Sequence, residues 1–253
     1  MPTSSKSQAI LEHVRRVRFA TVAELSASLG VSAVTVRRYL AQLEEQGLLT
    51  RTRGGAIAIG DLLEEPALTA KEGRQAEEKQ RIAAAAVSMI NDGDVIALNA
   101  GSTTAAIARL LTTRREITVV TNSLPVIRTL AGNPDIRMLI VGGQLRNRSL
   151  ALVGPLALQN LADLFVDKAF LGVDGISVEH GITTPNLDEA VVNRTMLRRA
   201  RKVIVVADHT KFGRVSLSRI SSIEEVHTVI TDQLAPADAV ACLRQLGKEV
   251  VLT

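Results

Sequence analysis

Six residues, Asn99-Ala100-Gly101-Ser102-Thr103-Thr104, follow the apolar run Val95–Leu98. A glycine and three hydroxyl residues at a helix start are chemistry for an anion. First-turn amides lack intrahelical acceptors, hydroxyls donate beside them, and the helix dipole favours negative charge. Polar turns follow the other apolar runs as well. They are Thr121-Asn122-Ser123, Gly142-Gly143-Gln144-Leu145-Arg146, Gly172-Val173-Asp174-Gly175 and Asp208-His209-Thr210-Lys211. Cations and N–H groups suit a phosphate, and carboxylates and amides suit hydroxyls, so the set fits a phosphorylated polyol. The candidate ligand residues are Asn99, Gly101, Ser102, Thr103, Thr104, Asn122, Gly142, Gly143, Arg146, Asp174, Glu189 and Lys211. Taken singly, the hydroxyl loop also reads as a capped helix start, Gly142-Gly143 as a turn, and Arg146 and Lys211 as solvated charges. Their joint placement after apolar runs points to one pocket.

Those runs must be strands for the residues to meet. From residue 94 the pattern alternates: strands at 95–98, 118–120, 138–141, 169–171, 203–206, 229–230 and 250–252, with helices at 103–111, 124–131, about 189–199 and 237–246. β-branched runs between helical stretches predict an α/β domain with a mostly parallel sheet covered on both faces. Ligands in such sheets bind at the carboxyl ends of the strands.

The N-terminal segment has a different chemistry. Residues 1–57 hold eight Lys or Arg and four Glu, so they carry the whole net charge of +4, and the remainder is balanced. That suits a polyanion-binding module, although a solvated basic face would give the same charge. Helical spacing at Ile10, Leu11 and Val14 predicts a first helix over 7–16. Thr21 with Glu24 predicts a capping box for a second helix over 22–29, closed by Gly30. Ser32 caps a third over 33–46, stopped by Gly47. Val36, Leu40 and Leu43 place its core face, and Arg38 lies opposite, flanked by Val34 and Gln42, with Thr35 and Arg37 on the borders. Such a helix after a Gly-Val-Ser turn suits a DNA major groove. The alternation through Leu49–Arg53, with a turn at Gly54-Gly55, predicts a basic wing. The candidate DNA-contacting residues are Ser32, Val34, Thr35, Arg37, Arg38, Gln42, Arg51 and Arg53. Residues 58–75 lose periodicity and read as a connector with short helical pieces, and a helix begins near Gln75. The expected organisation is therefore 1–57 winged helix-turn-helix, 58–75 linker and 76–253 α/β effector-sensing and oligomerisation domain.

Other classes are disfavoured. No apolar run approaches the roughly 20 residues that span a bilayer, and the N-terminus has no apolar leader. There is one cysteine, Cys242, so no internal disulfide. Both features predict a cytoplasmic protein without a membrane partner. Aromatic residues are 2% of the chain, too few to build stacking platforms for single strands. The four histidines show no metal-ligand spacing, and neither metal nor cofactor is expected. His180 and His209 are placed to line the pocket, and His13 and His227 to pack or lie on the surface. An isomerase fused to a DNA-binding domain is the competing reading, with Asp174 or Glu189 as base and Lys211 as electrophile. Asn99 and Asn193 flank the site and carry no titratable group, which favours binding without turnover.

The stretch Val22-Ala23-Glu24-Leu25, Leu29-Gly30-Val31-Ser32, Thr35-Val36-Arg37-Arg38, Leu43–Gly47 and Arg53–Ala56 resembles the N-terminal signature of the DeoR family of bacterial sugar-metabolism regulators. The resemblance continues through Gly101–Thr104, Thr121–Ser123, Gly142-Gly143 with Arg146, Phe170–Gly172 with Gly175, and Lys211–Gly213. It implies a sensor domain similar in fold to ribose-5-phosphate isomerase and to the activator domain of coenzyme A transferases. It also implies a phosphorylated sugar or sugar-alcohol effector, its phosphate on Gly101–Thr104. Three positions depart from the family's usual residues: Tyr39 for Asp, Asn99 for Asp and Asn193 for Lys. The expected protein is a DNA-binding transcriptional regulator, by default a repressor relieved by the metabolite. A homo-oligomer, dimer or tetramer, is expected, because one helix-turn-helix buries too little DNA for tight binding.

Overall fold

The computed structural model of the chain describes residues 5–17, 19–46, 48–52, 54–58, 63, 65–111 and 114–253. The N-terminal unit contains α1 (Ser5–Val17), β1 (Phe19–Thr21), α2 (Val22–Leu29), α3 (Ala33–Glu45), β2 (Leu49–Thr52) and β3 (Gly55–Ala58). Its core is Ile10, Leu11 and Val14 from α1, Leu25 from α2, and Val36, Leu40 and Leu43 from α3, closed by Ala20, Leu49 and Ala56. The Thr21 capping box forms as its spacing requires: the Thr21 side chain accepts from the Glu24 N–H, and Glu24 Oε2 accepts from the Thr21 N–H at 2.8 Å. Ser32 Oγ accepts from the Thr35 N–H at 3.2 Å and starts α3.

The wing differs from expectation in two respects. It has a third strand, β1, giving the order β1-β3-β2, and three residues are too few to show a period of two. Gly55 is not a turn residue: it pairs with both Thr52 and Thr21 inside the sheet. A Cβ there would lie 2.1 Å from the Ala20 carbonyl oxygen, so strand packing, not the turn, requires glycine at this position. Gly47 and Arg53 lie outside the described residues.

The larger unit is a seven-stranded parallel sheet. Its strands are β4 (Val95–Leu98), β5 (Ile117–Thr121), β6 (Ile136–Ile140), β9 (Val166–Leu171), β12 (Ala200–Val206), β14 (Thr228–Thr231) and β15 (Glu249–Leu252), in the order β15-β14-β12-β9-β4-β5-β6. One face carries α5 (Ala76–Ser88), α6 (Ser102–Leu111) and α7 (Leu124–Leu130), packed through Ile82, Ile107, Val126 and Leu130 on Ile96, Leu98, Phe170 and Ile204. The other carries α8 (Pro155–Leu161), α9 (Leu187–Arg198) and α10 (Ala237–Gln245), packed through Leu161, Met196 and Leu243 on Ala97, Ala169, Leu171, Val203 and Val205. Successive residues of β9 and β12 thus serve opposite layers, which explains their unbroken apolar runs.

The order of the strands decides where a ligand can sit. The chain runs outward from β4 to β5 and β6, then returns to place β9 on the other side of β4. The β4–β9 boundary is the topological switch point, where the loops diverge and leave a crevice at the carboxyl ends.

Three features had no clear periodic signal: a hairpin of β7 (Gln144–Arg146) and β8 (Ala151–Val153), a small antiparallel sheet of β10 (Gly175–Ser177), β11 (Gly181–Thr184) and β13 (Ser218–Ser221), and α8. The connector forms a short helix, α4 (Leu68–Glu72), whose buried Leu68 donates its N–H to the Arg148 carbonyl at 2.9 Å.

Candidate functional site

At the switch point, Asn99 follows β4 and Gly172 follows β9. Asn99 Nδ2 donates to the Gly172 carbonyl and Asn99 Oδ1 accepts from the Gly172 N–H, both at 2.9 Å. Asn99 is fully buried, so it frames the crevice and does not line it. Thr104 Oγ1 donates to the Asn99 carbonyl at 2.7 Å and approaches the Gly101 carbonyl at 3.0 Å, which fixes the loop that opens α6.

Ser102 and Thr103 are used differently. Their hydroxyls have no hydrogen-bond partner among the described residues, and both residues line a small hollow with Gly101, Gly172, Asp174, Lys71 and Lys211. The start of α6 thus borders the hollow, and first-turn amides lack intrahelical acceptors. A larger cavity of about 460 Å³ adjoins it through Lys71, Asp174 and Lys211 and is also lined by Lys79, Asp208, His209 and Arg214. That volume is in the range for a small-molecule ligand.

The electrostatics favour an anion. The Lys211 ammonium has no hydrogen-bond or ion-pair partner among the described residues. Burial pushes its pKa down to about 8, against the pull of Asp174 and Asp208. Burial would raise the Asp174 carboxyl, but Lys71 and Lys211, with hydrogen bonds from Lys71 and Thr184, hold it below the usual carboxylate range. Lys71 Nζ lies 2.6 Å from Asp174 Oδ1 and Thr184 Oγ1 lies 3.1 Å from Oδ2. His209 is oriented by the fully buried Asp232: its Nδ1 is 2.9 Å from Oδ1 and its N–H donates to Oδ2 at 2.7 Å.

The remaining predicted ligand residues form separate groups. Asn122 Nδ2 donates to the Leu152 carbonyl at 3.0 Å and helps hold β8. The Gly142 N–H donates to Asn160 Oδ1 at 2.9 Å. Gly143, at φ 139°, would bring a Cβ within 2.4 Å of the Val153 carbonyl oxygen, so it marks a close backbone approach inside the hairpin. Arg146 makes a two-pronged contact with Glu65, Nη1–Oε1 and Nη2–Oε2 both at 2.8 Å, and also bonds Glu189 and Ser149. The Glu65 hydrogen bond is the main reason the Arg146 pKa is raised, and burial is what lifts Glu189 above the usual range. Asn193, buried on α9, is likewise absent from the cavity lining.

Sequence reasoning missed the part played by the connector. Glu65 and Lys71 are 81 and 103 residues from their partners Arg146 and Asp174, and nothing in local periodicity links them. Lys79 is buried and held by the Lys71 and Arg74 carbonyls, and desolvation lowers its pKa. Among the described residues, no group of three or more His, Cys, Asp or Glu is placed to hold a metal ion. No described helix is long and apolar enough to cross a membrane.

The N-terminal unit presents a second surface. Ser32, Val34, Arg37, Arg38, Gln42 and Arg51 are exposed and Thr35 is half-buried. Val34 is 74% exposed on the same face. Arg38 stacks over the Tyr39 ring at 5.5 Å, and Tyr39 packs against the core. Glu44 Oε1 accepts from the Arg51 N–H at 2.7 Å, tying the wing to α3.

Two family models match the chain: the DeoR-like helix-turn-helix domain over residues 6–61 and the DeoR C terminal sensor domain over residues 74–233. A putative aga operon transcriptional repressor of Escherichia coli O157:H7 is 38% identical over 99% of this chain and 94% of its own length. The HTH-type transcriptional repressor GlcR of Bacillus subtilis is 35% identical, covering 97% and 94%. The glycerol-3-phosphate regulon repressor of Escherichia coli K12 is 31% identical over 96% of each. Among solved structures, ribose 5-phosphate isomerase A of Methanocaldococcus jannaschii aligns with a TM-score of 0.41 at 20% identity, over 54% of each chain.

Proposed function

The chain belongs to the DeoR family of DNA-binding transcriptional regulators, and from that premise we propose that it represses genes of carbohydrate metabolism until a phosphorylated sugar or sugar alcohol fills the switch-point cavity. The observation that carries the effector reading is the convergence of three unpartnered groups, Ser102 Oγ, Thr103 Oγ1 and Lys211 Nζ, on one hollow at the start of α6. Donors left unbonded in a half-buried site are costly unless a ligand accepts from them. A phosphate ester does so, and its hydroxyls find Asp174, Asp208 and His209 in the adjoining cavity. The ligand contacts are accordingly Gly101, Ser102, Thr103, Asp174 and Lys211, with Asn99 and Thr104 shaping the loop.

On the DNA side, α3 enters the major groove. Ser32, Val34, Thr35, Arg37, Arg38 and Gln42 face the bases and nearby phosphates, and Arg51 on the wing meets the backbone. Val34 offers an apolar contact for a thymine methyl. Two copies or more are needed to read paired half-sites, so the working form is a homo-oligomer, and a regulator of this kind acts in the cytoplasm, where its DNA is.

The pocket binds without turning its ligand over. An isomerase needs an available base. Asp174 is engaged by Lys71 and Thr184, Glu189 by Arg146, and Asn99 and Asn193 carry no titratable group. Incubation with ribose 5-phosphate, followed for ketose formation, tests this point.

The effector reading is tested by thermal stabilisation of the full chain with a panel of phosphorylated sugars and polyols, each beside its unphosphorylated parent. A shift of several degrees for an ester and none for its parent is expected. Equal shifts for ester and parent would remove the phosphate anchor from the account.

A further inference from the structure

The connector reaches into the cavity it adjoins. Lys71, near the end of α4, lines both the hollow at Gly101–Thr103 and the larger cavity. Its ammonium pairs with Asp174, and the two side chains are 19% and 18% exposed, so each is reachable from the cavity. Lys211 faces the same carboxylate without bonding it. Two lysines and one carboxylate therefore border the hollow, leaving it one positive group in excess.

The backbone at Lys71 is fastened independently of its side chain. Lys79, on α5, donates to the Lys71 carbonyl at 2.5 Å, and the Leu68 N–H holds the other end of α4 to Arg148. A dianion in the hollow competes with Asp174 for the Lys71 ammonium, while ligand hydroxyls replace that ammonium at Asp174. One charge-assisted hydrogen bond is exchanged for another, so the exchange is close to balanced and a ligand can tip it.

We infer that Lys71 is a ligand-contacting cation supplied by the connector, and that transfer of its ammonium from Asp174 to a bound anion is the step by which occupancy is felt in the chain leading to the winged unit. The inference rests on the phosphate reading above and adds the residue through which the signal leaves the pocket. It meets the physical requirement of coupling, a contact that differs between the empty and filled states.

The test is amide hydrogen exchange on the full chain with inorganic phosphate as probe, following peptides over 65–75 and 100–108. In the wild type, phosphate changes protection in both, in parallel. In Lys71→Met the loop peptide still responds but needs on the order of tenfold more phosphate, and the connector peptide no longer responds; Lys71→Arg restores its response. Asp174→Asn loosens the connector peptide without any phosphate. The inference is overturned if the Lys71→Met connector responds like the wild type at equal loop occupancy, if its phosphate midpoint is unmoved, or if Asp174→Asn leaves 65–75 as protected as before. A wild-type loop that ignores phosphate would be a separate failure, that of the phosphate reading itself, and would remove this inference with it.

Discussion

Asn99 grips both sides of the Gly172 peptide, giving a hydrogen bond to its carbonyl and taking one from its N–H. Only a group that is donor and acceptor at once can do this, so an amide fits where a carboxylate does not. Asn99→Asp puts a buried negative charge against a carbonyl oxygen. The expected cost is about 1–3 kcal/mol or more, read as a melting point lower by several degrees. An Asn99→Asp melting curve that overlays the wild type would show that this clamp does not hold the switch point together.

Ser102→Ala combined with Thr103→Ala removes two open hydroxyls without disturbing the hydrogen bonds that fix the loop. DNA affinity is expected to stay unchanged, and stabilisation by the active phosphate ester to fall by about tenfold or more in half-saturating concentration. Measuring DNA binding and ligand melting shifts on the same preparation separates the two roles.

Lys211 makes the pocket sensitive to alkali. With its pKa held near 8 in the folded chain against the ordinary lysine value of 10.5, the unfolded chain carries a proton between those values that the folded one lacks. Stability from this site therefore rises across that window, by at most about 1.4 kcal/mol per pH unit. Ligand affinity runs the other way, because a phosphate ester prefers the ammonium, and weakens above about pH 8. Lys211→Met is expected to flatten both profiles. Parallel titrations of melting temperature and ligand affinity would expose a disagreement in either.

Arg37→Ala and Arg38→Ala should each cost about 1–3 kcal/mol of specific DNA binding, whereas Arg51→Ala should weaken specific and random DNA alike and lower the salt slope by about one. Fluorescence anisotropy on DNA from the chain's own upstream region, at two salt concentrations, distinguishes these patterns. A double Arg37→Ala, Arg38→Ala variant that still binds that DNA as tightly would assign recognition to another surface.

Gly55→Ala tests the three-stranded wing. Its new methyl would sit on the Ala20 carbonyl, so either β1 or β3 must move. A loss of about 1–3 kcal/mol is expected in the melting of the N-terminal unit. Gly54→Ala meets nothing within 4 Å and should be nearly silent, which makes it the natural control.

Local chemistry was legible in the sequence and long-range chemistry was not. Thr21 with Glu24 and Gly30 announced α2 to the residue, and Ser32 announced the start of α3, because caps are set by neighbours three positions away. The seven long strands were visible as short apolar, β-branched runs, well buried in the inner strands, while β6 and β15 at the sheet edges stay partly exposed. The three-residue strands had too few residues to set a period. The ligand list was right about which turns lie at strand ends, but it could not tell a side chain lining the crevice, such as Ser102, from one turned into its frame, such as Thr104. Arg146 showed the same limit: the charge was plain, and its commitment to Glu65 and Glu189 was not.

The two clasps from the connector bear on how this protein could be recombined with others. Glu65 and Lys71 precede α5, where the helical pattern of the sensor begins, yet their ionic partners all lie beyond residue 145. A foreign DNA-reading head grafted ahead of residue 65 would inherit a complete pocket wall. One grafted at residue 76 would take Glu65 from Arg146, leaving it Glu189 alone, and Lys71 from Asp174, and would be expected to yield a sensor that folds and cannot report. The natural unit of exchange is therefore longer than the sheet and helices that define it by eye.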